Sequence, residues 1–208
     1  MPTRTHARRP DAGRILDSAV REFARRGYAD TSLRQLMTAA KVSTTAFYAR
    51  FASKEEVLRA LVRRLLGEID ERARQELPLA TSVDDGFRRG VAALVAVIGP
   101  QRELVRIALT QAAASSEVTA ALGERYAALA ALLSAQIRAV DKRGQVADPD
   151  ALAWSLVGAL QMQVLRWAAF GQLETEALAP ALLAVAEAHL PALGASSATK
   201  RKRGTHAR

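Results

Sequence analysis

The sequence predicts an all-α protein, on three observations. Alanine, the strongest helix former and a poor strand former, occurs 44 times in 208 residues. Apolar residues recur at helical spacing in one segment after another, and no segment sustains the alternation that is typical of a half-buried strand. Half of the chain is apolar, with only 7 Pro and 12 Gly, so it can bury a substantial core.

The first two predicted helices have clear boundaries. The first begins at about Asp11 and ends at Gly27, because glycine takes the left-handed conformation of a helix C-cap without strain. Ser32 and Gln35 then have the spacing of a capping box, in which each side chain accepts a hydrogen bond from the other residue's backbone amide. The second helix is therefore expected to begin directly after Ser32.

Two further helices follow at once. A short helix from Thr44 to Phe51 is expected after the N-cap residue Ser43. A long helix opens at a second capping box, formed by Ser53 and Glu56, and ends at Pro78.

Five more helices are predicted after the fourth, and both ends of the chain are predicted to be irregular. Residues 1–10 are expected to be a basic flexible arm, and residues 191–208 a disordered basic tail, since neither shows periodicity. The five helices are placed at about 83–98, 102–114, 117–140, 149–170 and 178–190.

Charge divides the chain into unlike parts. Residues 1–66 carry a net charge of +8, residues 67–195 carry −4, and the last 13 residues carry +5. This asymmetry favours an N-terminal segment that meets a polyanion, with an unevenly charged but merely solvated surface as the alternative. The absence of cysteine excludes a disulfide scaffold, and three histidines far apart in sequence give no metal-site or catalytic pattern. We therefore expect no enzyme, no metal and no cofactor.

Residues 32–51 have the layout of a helix-turn-helix: a helix, a three-residue turn and a short second helix. On the second helix Phe47 and Phe51 share one face with Ala46. The opposite face of this helix carries the outward side chains of Thr45, Tyr48 and Ala49. Thr44 lies at the edge of that face. Small hydroxylated side chains can enter a major groove about 12 Å wide. Periodicity alone leaves an ordinary helical hairpin equally open.

The literal sequence of residues 15–61 closely resembles the DNA-binding domain of the TetR family of transcriptional repressors. The resemblance rests on a contiguous match whose strongest parts are Phe23-Ala24, Gly27-Tyr28, Thr31-Ser32, Val42-Ser43, Phe47-Tyr48 and Phe51 with Ser53-Lys54-Glu55-Glu56. It implies a two-domain homodimer that binds double-stranded operator DNA and is released by a small-molecule effector. Residues 11–56 would be the DNA-binding domain, and residues 57–190 the helical ligand-binding and dimerisation domain.

The same resemblance implies which residues contact DNA. Tyr48 and Lys54 match phosphate contacts, and Arg34 matches a position that reaches a base edge or a phosphate. Thr44 and Thr45 are the first residues of the second helix of the motif, the recognition helix, and are expected to contact base edges in the major groove. Ser32 and Ser43 are candidates for phosphate contacts as well, although helix capping alone would account for both.

Three positions depart from the family pattern. Lys41 stands where the family usually has glycine, and a left-handed lysine costs on the order of 1 kcal/mol, so we expect the turn to close differently. Arg50 is expected toward the buried edge of the helix, so that its stem must reach outward to contact DNA. Ala49, in place of a larger residue, leaves a gap in base readout. Ala49 and Arg50 complete the predicted DNA-binding set.

The body of the chain predicts a dimer. The helix at 149–170 is apolar nearly all round, so one side can face its own core and the other needs a partner. The last helix shows the same surplus, and two such helices from each chain would make a four-helix interface. Core helices of a monomer are the alternative.

The expected function is a transcriptional repressor released from its operator by an apolar or amphipathic ligand. A ligand-independent DNA-binding architectural or adaptor protein is the alternative. No signal peptide and no apolar stretch of about 20 residues occurs, which predicts a cytoplasmic protein without a membrane contact.

Overall fold

The computed structural model describes residues 12–111, 115–141 and 146–189. The predicted arm and tail lie outside the described residues, as do the last three residues of the helix predicted at 102–114 and the last residue of the helix predicted at 178–190. Among the described residues no helix is long and apolar enough to cross a membrane.

The prediction of an all-α fold is confirmed: the described residues form α-helices and two short 3-10 turns, without a strand. The helices are α1 (Ala12–Arg26), α2 (Leu33–Ala40), α3 (Thr44–Tyr48), α4 (Lys54–Glu76), α5 (Val83–Ile98), α6 (Arg102–Thr110), α7 (Ser116–Val140), α8 (Pro149–Ala168) and α9 (Thr175–His189). The 3-10 turns are Leu77–Leu79 and Gly99–Gln101.

The described chain divides into two compact units. The first unit comprises residues up to Leu66 together with Arg102–Ala120. In it α1 packs against α2 and against α6. Its core is made of fully buried apolar side chains: Ile15, Phe23, Leu36, Phe47, Leu58, Leu61, Leu104 and Ile107. The helix-turn-helix is thus built on the same core as α6.

The second unit comprises Gly67–Gln101 and the residues from Ala121 onward. Within it α9 packs against α5 and α8. A cluster of buried apolar residues joins α7 to α8: Ala130, Leu133, Ile137, Ala153, Leu156 and Val157. The buried indole of Trp167 donates to the hydroxyl of Thr175 at 3.1 Å, which ties the end of α8 to the start of α9.

Local sequence signals set the helix ends of the first unit. Gly27 has φ +87° and its amide donates to the carbonyl of Phe23, as predicted for a C-cap. Both halves of the capping box at Ser32 and Gln35 are present. At α4 only half of the predicted box forms: Ser53 accepts from the amide of Glu56, whose carboxylate accepts from Ala52 rather than from Ser53.

Three predicted helix boundaries were wrong among the described residues. The helix predicted at 102–114 ends at Thr110, and Gln111 is no longer helical. The helix after Ser43 ends at Tyr48 rather than Phe51, because the amide of Arg50 turns inward to the carbonyl of Phe47 and tightens the last turn. The last helix begins at Thr175 rather than near residue 178, so that Pro180 lies inside it.

The turn at Lys41 does not close differently, contrary to the sequence expectation. Lys41 has φ 52° and ψ 48°, the left-handed conformation that a glycine would take. Its amide donates to carbonyls near the end of α2, and the amide of Val42 donates to Met37 at 3.1 Å. These bonds and the packing of α2 and α3 hold the lysine in its strained conformation.

Replacing Lys41 with glycine should therefore stabilise the protein. We expect Lys41→Gly to raise the free energy of unfolding by up to about 1 kcal/mol, because a left-handed L-residue costs roughly 1–2 kcal/mol and glycine loses roughly 0.5–1 kcal/mol of entropy on folding. Urea unfolding followed by circular dichroism measures the change. Lys41→Ala keeps the Cβ atom and should bring no gain; an equal gain in both variants would contradict strain at this position.

Candidate nucleic-acid interface

The short helix α3 is positioned from one side by aromatic packing. The side chain of Phe47 is fully buried, and Phe51, just beyond the helix, is buried beside it with ring centroids 6.1 Å apart. The N-cap Ser43 accepts from the amide of Ala46 at 3.2 Å. A helix of five residues is not stable by itself in water, so these contacts hold it.

The opposite face of α3 is open to solvent, as the helical wheel predicts. Thr44 and Thr45 are exposed, and Tyr48 is 50% exposed with its ring edge-on to Phe47. Ala49 is exposed at the C-cap of the helix. The arrangement presents two hydroxyls and a phenol on one small surface.

The arginines of the predicted set are exposed as well. Arg34 lies in the first turn of α2, outside the core. Arg50 lies beyond the end of α3 and is exposed, so the expectation that it sits toward a buried edge was wrong. The reason is the early end of α3, which takes Arg50 off the helix wheel used for that expectation.

The two serines differ in how fully their hydroxyls are used. The Ser32 hydroxyl accepts from the amide of Gln35 and donates to its side-chain oxygen at 3.0 Å. Capping therefore uses the Ser32 hydroxyl both as a donor and as an acceptor. Ser43 accepts from the Ala46 amide, and a hydroxyl that accepts still carries a proton that it can donate.

Lys54 has partners that the sequence did not predict. Its ammonium donates to the backbone carbonyls of Tyr28 at 2.7 Å and Ala29 at 2.9 Å. It also lies 4.6 Å from the centroid of the Tyr28 ring. Burial, and secondarily the charge of Glu55, raise the pKa of Tyr28 above its usual value, so this phenol is neutral at physiological pH.

Sequence reasoning missed the contact between Lys54 and Tyr28. Tyr28 follows the C-cap glycine of α1 and reads as an ordinary turn residue. The available signal was chemical: a lysine in the first turn of a helix opposes the helix dipole and needs a local partner.

Among the described residues, no group of three or more His, Asp or Glu side chains could hold a metal ion.

Comparison with known families decides what this helix-turn-helix is. Residues 15–61 match the family model of bacterial regulatory proteins of the tetR family. This domain is similar to the DNA-binding domain of those regulators. The chain has an N-terminal helix-turn-helix domain and a C-terminal helical domain, a fold that it shares with solved tetR-family regulators.

Solved structures of tetR-family regulators share the fold over most of the chain. A TetR-like transcriptional regulator from Rhodococcus sp. RHA1 is 25% identical, with a TM-score of 0.71 over 86% of this chain and 94% of that one. The fatty acid degradation regulator FadR from Bacillus halodurans is 22% identical, with a TM-score of 0.70 over 85% and 94%. The regulator PfmR from Thermus thermophilus is 22% identical, with a TM-score of 0.66 over 83% and 96%. No curated protein sequence gives a significant match.

Substitutions at Ser43 should separate capping from proximity to DNA. Ser43→Ala removes the cap and should lower the free energy of unfolding by about 0.5–2 kcal/mol. Ser43→Asp keeps a capping acceptor and so should preserve stability. If Ser43 lies at the DNA backbone, as the family resemblance implies, the added negative charge beside a phosphate should weaken DNA binding about tenfold or more.

Ser82→Asp is the matched control, because Ser82 caps α5 in the second unit in the same way, accepting from the amide of Asp85. It should leave DNA binding unaltered. Equal weakening by both aspartates, measured by fluorescence anisotropy on labelled duplex, would contradict a location of Ser43 at the DNA.

Proposed function

We propose that this protein is a sequence-specific repressor that binds operator DNA as a homodimer and is released by a small apolar or amphipathic ligand. The observation that carries the proposal is the exposed face of Thr44, Thr45 and Tyr48 on a helix anchored by the buried Phe47. A rigid short helix with small polar side chains outward fits the major groove.

Within this interface each predicted residue has a role. Thr44 and Thr45 contact base edges, and Arg34 grips a base or a phosphate from the start of α2. Tyr48, Lys54 and Arg50 contact phosphates, and Ser43 donates to one. Ser32 serves through its cap at the start of α2, and Ala49 lets the backbone approach the groove without adding a contact.

The homodimer is supported by the outward face of α8. Between Ala151 and Leu165 this helix carries no charged residue. Trp154 is 50% exposed and Met162 is 47% exposed. Exposed large apolar side chains grouped on one uncharged helix face are typical of a surface that another protein covers. The exposed apolar surface of α9 is smaller than the sequence suggests, because Leu182 and Ala186 are buried within the chain.

Gly158 supports the same surface. It lies on α8 between Trp154 and Met162, one turn from each, and a Cβ atom built on it would meet nothing within 4 Å. The single chain therefore gives no steric reason for a glycine that lowers helix stability by about 1 kcal/mol relative to alanine. A close crossing of the same helix from a second copy supplies one.

A two-fold dimer fixes the kind of operator. Two recognition helices related by two-fold symmetry fit successive major grooves about 34–36 Å apart, so the operator is roughly palindromic. In this assignment residues 11–56 bind DNA, residues 57–190 bind ligand and dimerise, and the protein acts in the cytoplasm, where bacterial DNA lies.

The nature of the effector is supported by the interior of the second unit. Among the described residues of this unit, Ser134 is the polar side chain that is buried, and its hydroxyl donates to Asp150. The rest of that buried interior is apolar, which suits an apolar or amphipathic compound better than a phosphate. A structural neighbour that regulates fatty acid degradation is compatible with such a ligand.

Sequencing the genomic fragments that the purified protein retains tests the function directly. We expect fragments that share a palindromic site near promoters. Retention without any shared sequence would favour the ligand-independent architectural alternative.

Base readout and phosphate contact should respond differently to mutation. Arg34→Ala and Thr45→Ala should discriminate less between the palindromic site found in the retained fragments (the captured site) and a scrambled duplex. The difference in binding free energy between the two duplexes should fall by about 1–3 kcal/mol where arginine makes two hydrogen bonds to a base, and by less for threonine. Lys54→Ala should weaken binding to both duplexes, with a smaller loss of discrimination than Arg34→Ala. It should also lower the slope of log affinity against log salt concentration (the salt slope) by about one unit. Titrations at several salt concentrations measure both. The assignment of roles is reversed if Lys54→Ala alone changes sequence preference.

The dimer surface can be tested at Met162. Met162→Arg places a charge in the proposed interface and should give monomers that no longer bind operator, whereas Ala92→Arg adds the same charge at an exposed position of α5 and should do neither. Sedimentation of the two variants at micromolar concentration decides. A monomeric wild-type protein would contradict the proposal outright.

Ligand release is tested with a panel of fatty acids and aromatic compounds screened by thermal shift. Compounds that raise the melting temperature should weaken operator binding about 5- to 150-fold, the usual range of allosteric coupling. If stabilising compounds never change operator affinity, release by ligand is wrong.

A further inference from the structure

The turn between α1 and α2 directs its carbonyl groups at two side chains. The Thr31 hydroxyl, which is buried, lies 2.7 Å from the carbonyl oxygen of Gly27 and donates to it. The next two carbonyls, of Tyr28 and Ala29, accept from the Lys54 ammonium at 2.7 and 2.9 Å. Side chains therefore donate to three successive carbonyls. The carbonyls of Tyr28 and Ala29 together bind one cation, the Lys54 ammonium, and we call this pair of carbonyls the Lys54 seat.

Lys54 is held in this seat against the dipole of its own helix. It is the first residue of α4, where the unpaired amides favour a negative charge rather than a positive one. The two carbonyls and the face of the Tyr28 ring, 4.6 Å away, compensate for that position. The Tyr28 ring in turn stands edge-on to the buried Phe23, with centroids 5.1 Å apart.

The same turn determines where α2 begins. Thr31 is the last residue of the turn, and the N-cap Ser32 follows it directly. Tyr28 also accepts from the Thr31 amide at 3.4 Å. A turn that loses its seated cation is free to shift the start of α2, which carries Arg34.

We propose that Tyr28 is a positioning residue for operator binding: with the carbonyls of the turn it holds Lys54 in one orientation and fixes the start of α2. An ammonium has three N–H groups, and the seat uses two, so the third is aimed in a fixed direction at a phosphate. The inference rests on the proposed function and adds to it a residue that does not touch DNA.

A double-mutant cycle on the captured operator tests this role. Tyr28→Leu should weaken binding about 3- to 30-fold, the range of a cation–π contact, with an unchanged salt slope because no phosphate contact is removed. Lys54→Ala should weaken binding further and lower the slope. The double variant should bind like Lys54→Ala alone, because the ring has no cation left to hold.

Two further variants make the test specific. Tyr28→Phe keeps the ring and should restore most of the affinity. Tyr126→Leu replaces another half-buried tyrosine, in the second unit, and serves as the control for general loss of stability.

Several results would overturn the proposal while leaving operator binding by the wild type intact. They are additive effects in the cycle, a salt slope lowered by Tyr28→Leu, and equal losses in Tyr28→Phe and Tyr28→Leu, which would make the hydroxyl a direct contact. If Tyr28→Leu does not fold, hydrogen exchange in folded Lys54→Ala replaces the cycle. The amides to follow are those of Thr31 and Gln35, which donate to the Tyr28 carbonyl and to the Ser32 hydroxyl. Faster exchange is expected, and unchanged exchange overturns the proposal. Failure of the wild type to bind any fragment sequence-specifically would instead reject the proposed function.

Discussion

The proposed DNA interface depends on one buried side chain, the ring of Phe47. The helix α3 has five residues, too few to persist by its own hydrogen bonds. Phe47, the fourth residue of that helix, is fully buried, and its neighbours Thr45 and Tyr48 point outward because Phe47 points inward. Truncation of a buried phenylalanine costs about 3–5 kcal/mol, a large part of the stability of a small domain. Every proposed base contact on α3 therefore follows from the packing of Phe47.

Much of this arrangement was predictable because its signals are local. The capping box at Ser32 and Gln35, the cap at Ser43 and the C-cap at Gly27 each involve residues a few positions apart. The aromatic spacing of Phe47 and Phe51 predicted the buried face of α3. A long match to one family then favoured a helix-turn-helix over an ordinary hairpin.

The parts that could not be predicted depend on contacts between distant residues or on a competition between energies. The seat of Lys54 joins it to Tyr28, 26 positions away, and no sequence periodicity reports it. The packing of α6 against α1 is likewise non-local. Lys41 adopts the left-handed conformation although L-residues disfavour it by about 1 kcal/mol. This strain is small compared with the free energy gained when α2 and α3 pack together, which requires the turn to close in this way.

Slowed amide exchange on DNA binding tests the central claim, that the face anchored by Phe47 meets the operator. The exchange of each amide would be measured by mass spectrometry with and without a duplex carrying the captured site. The account predicts slower exchange at residues 32–36 and 43–49 and no comparable change along α5. Slowing confined to the second unit, with bound DNA, would contradict it.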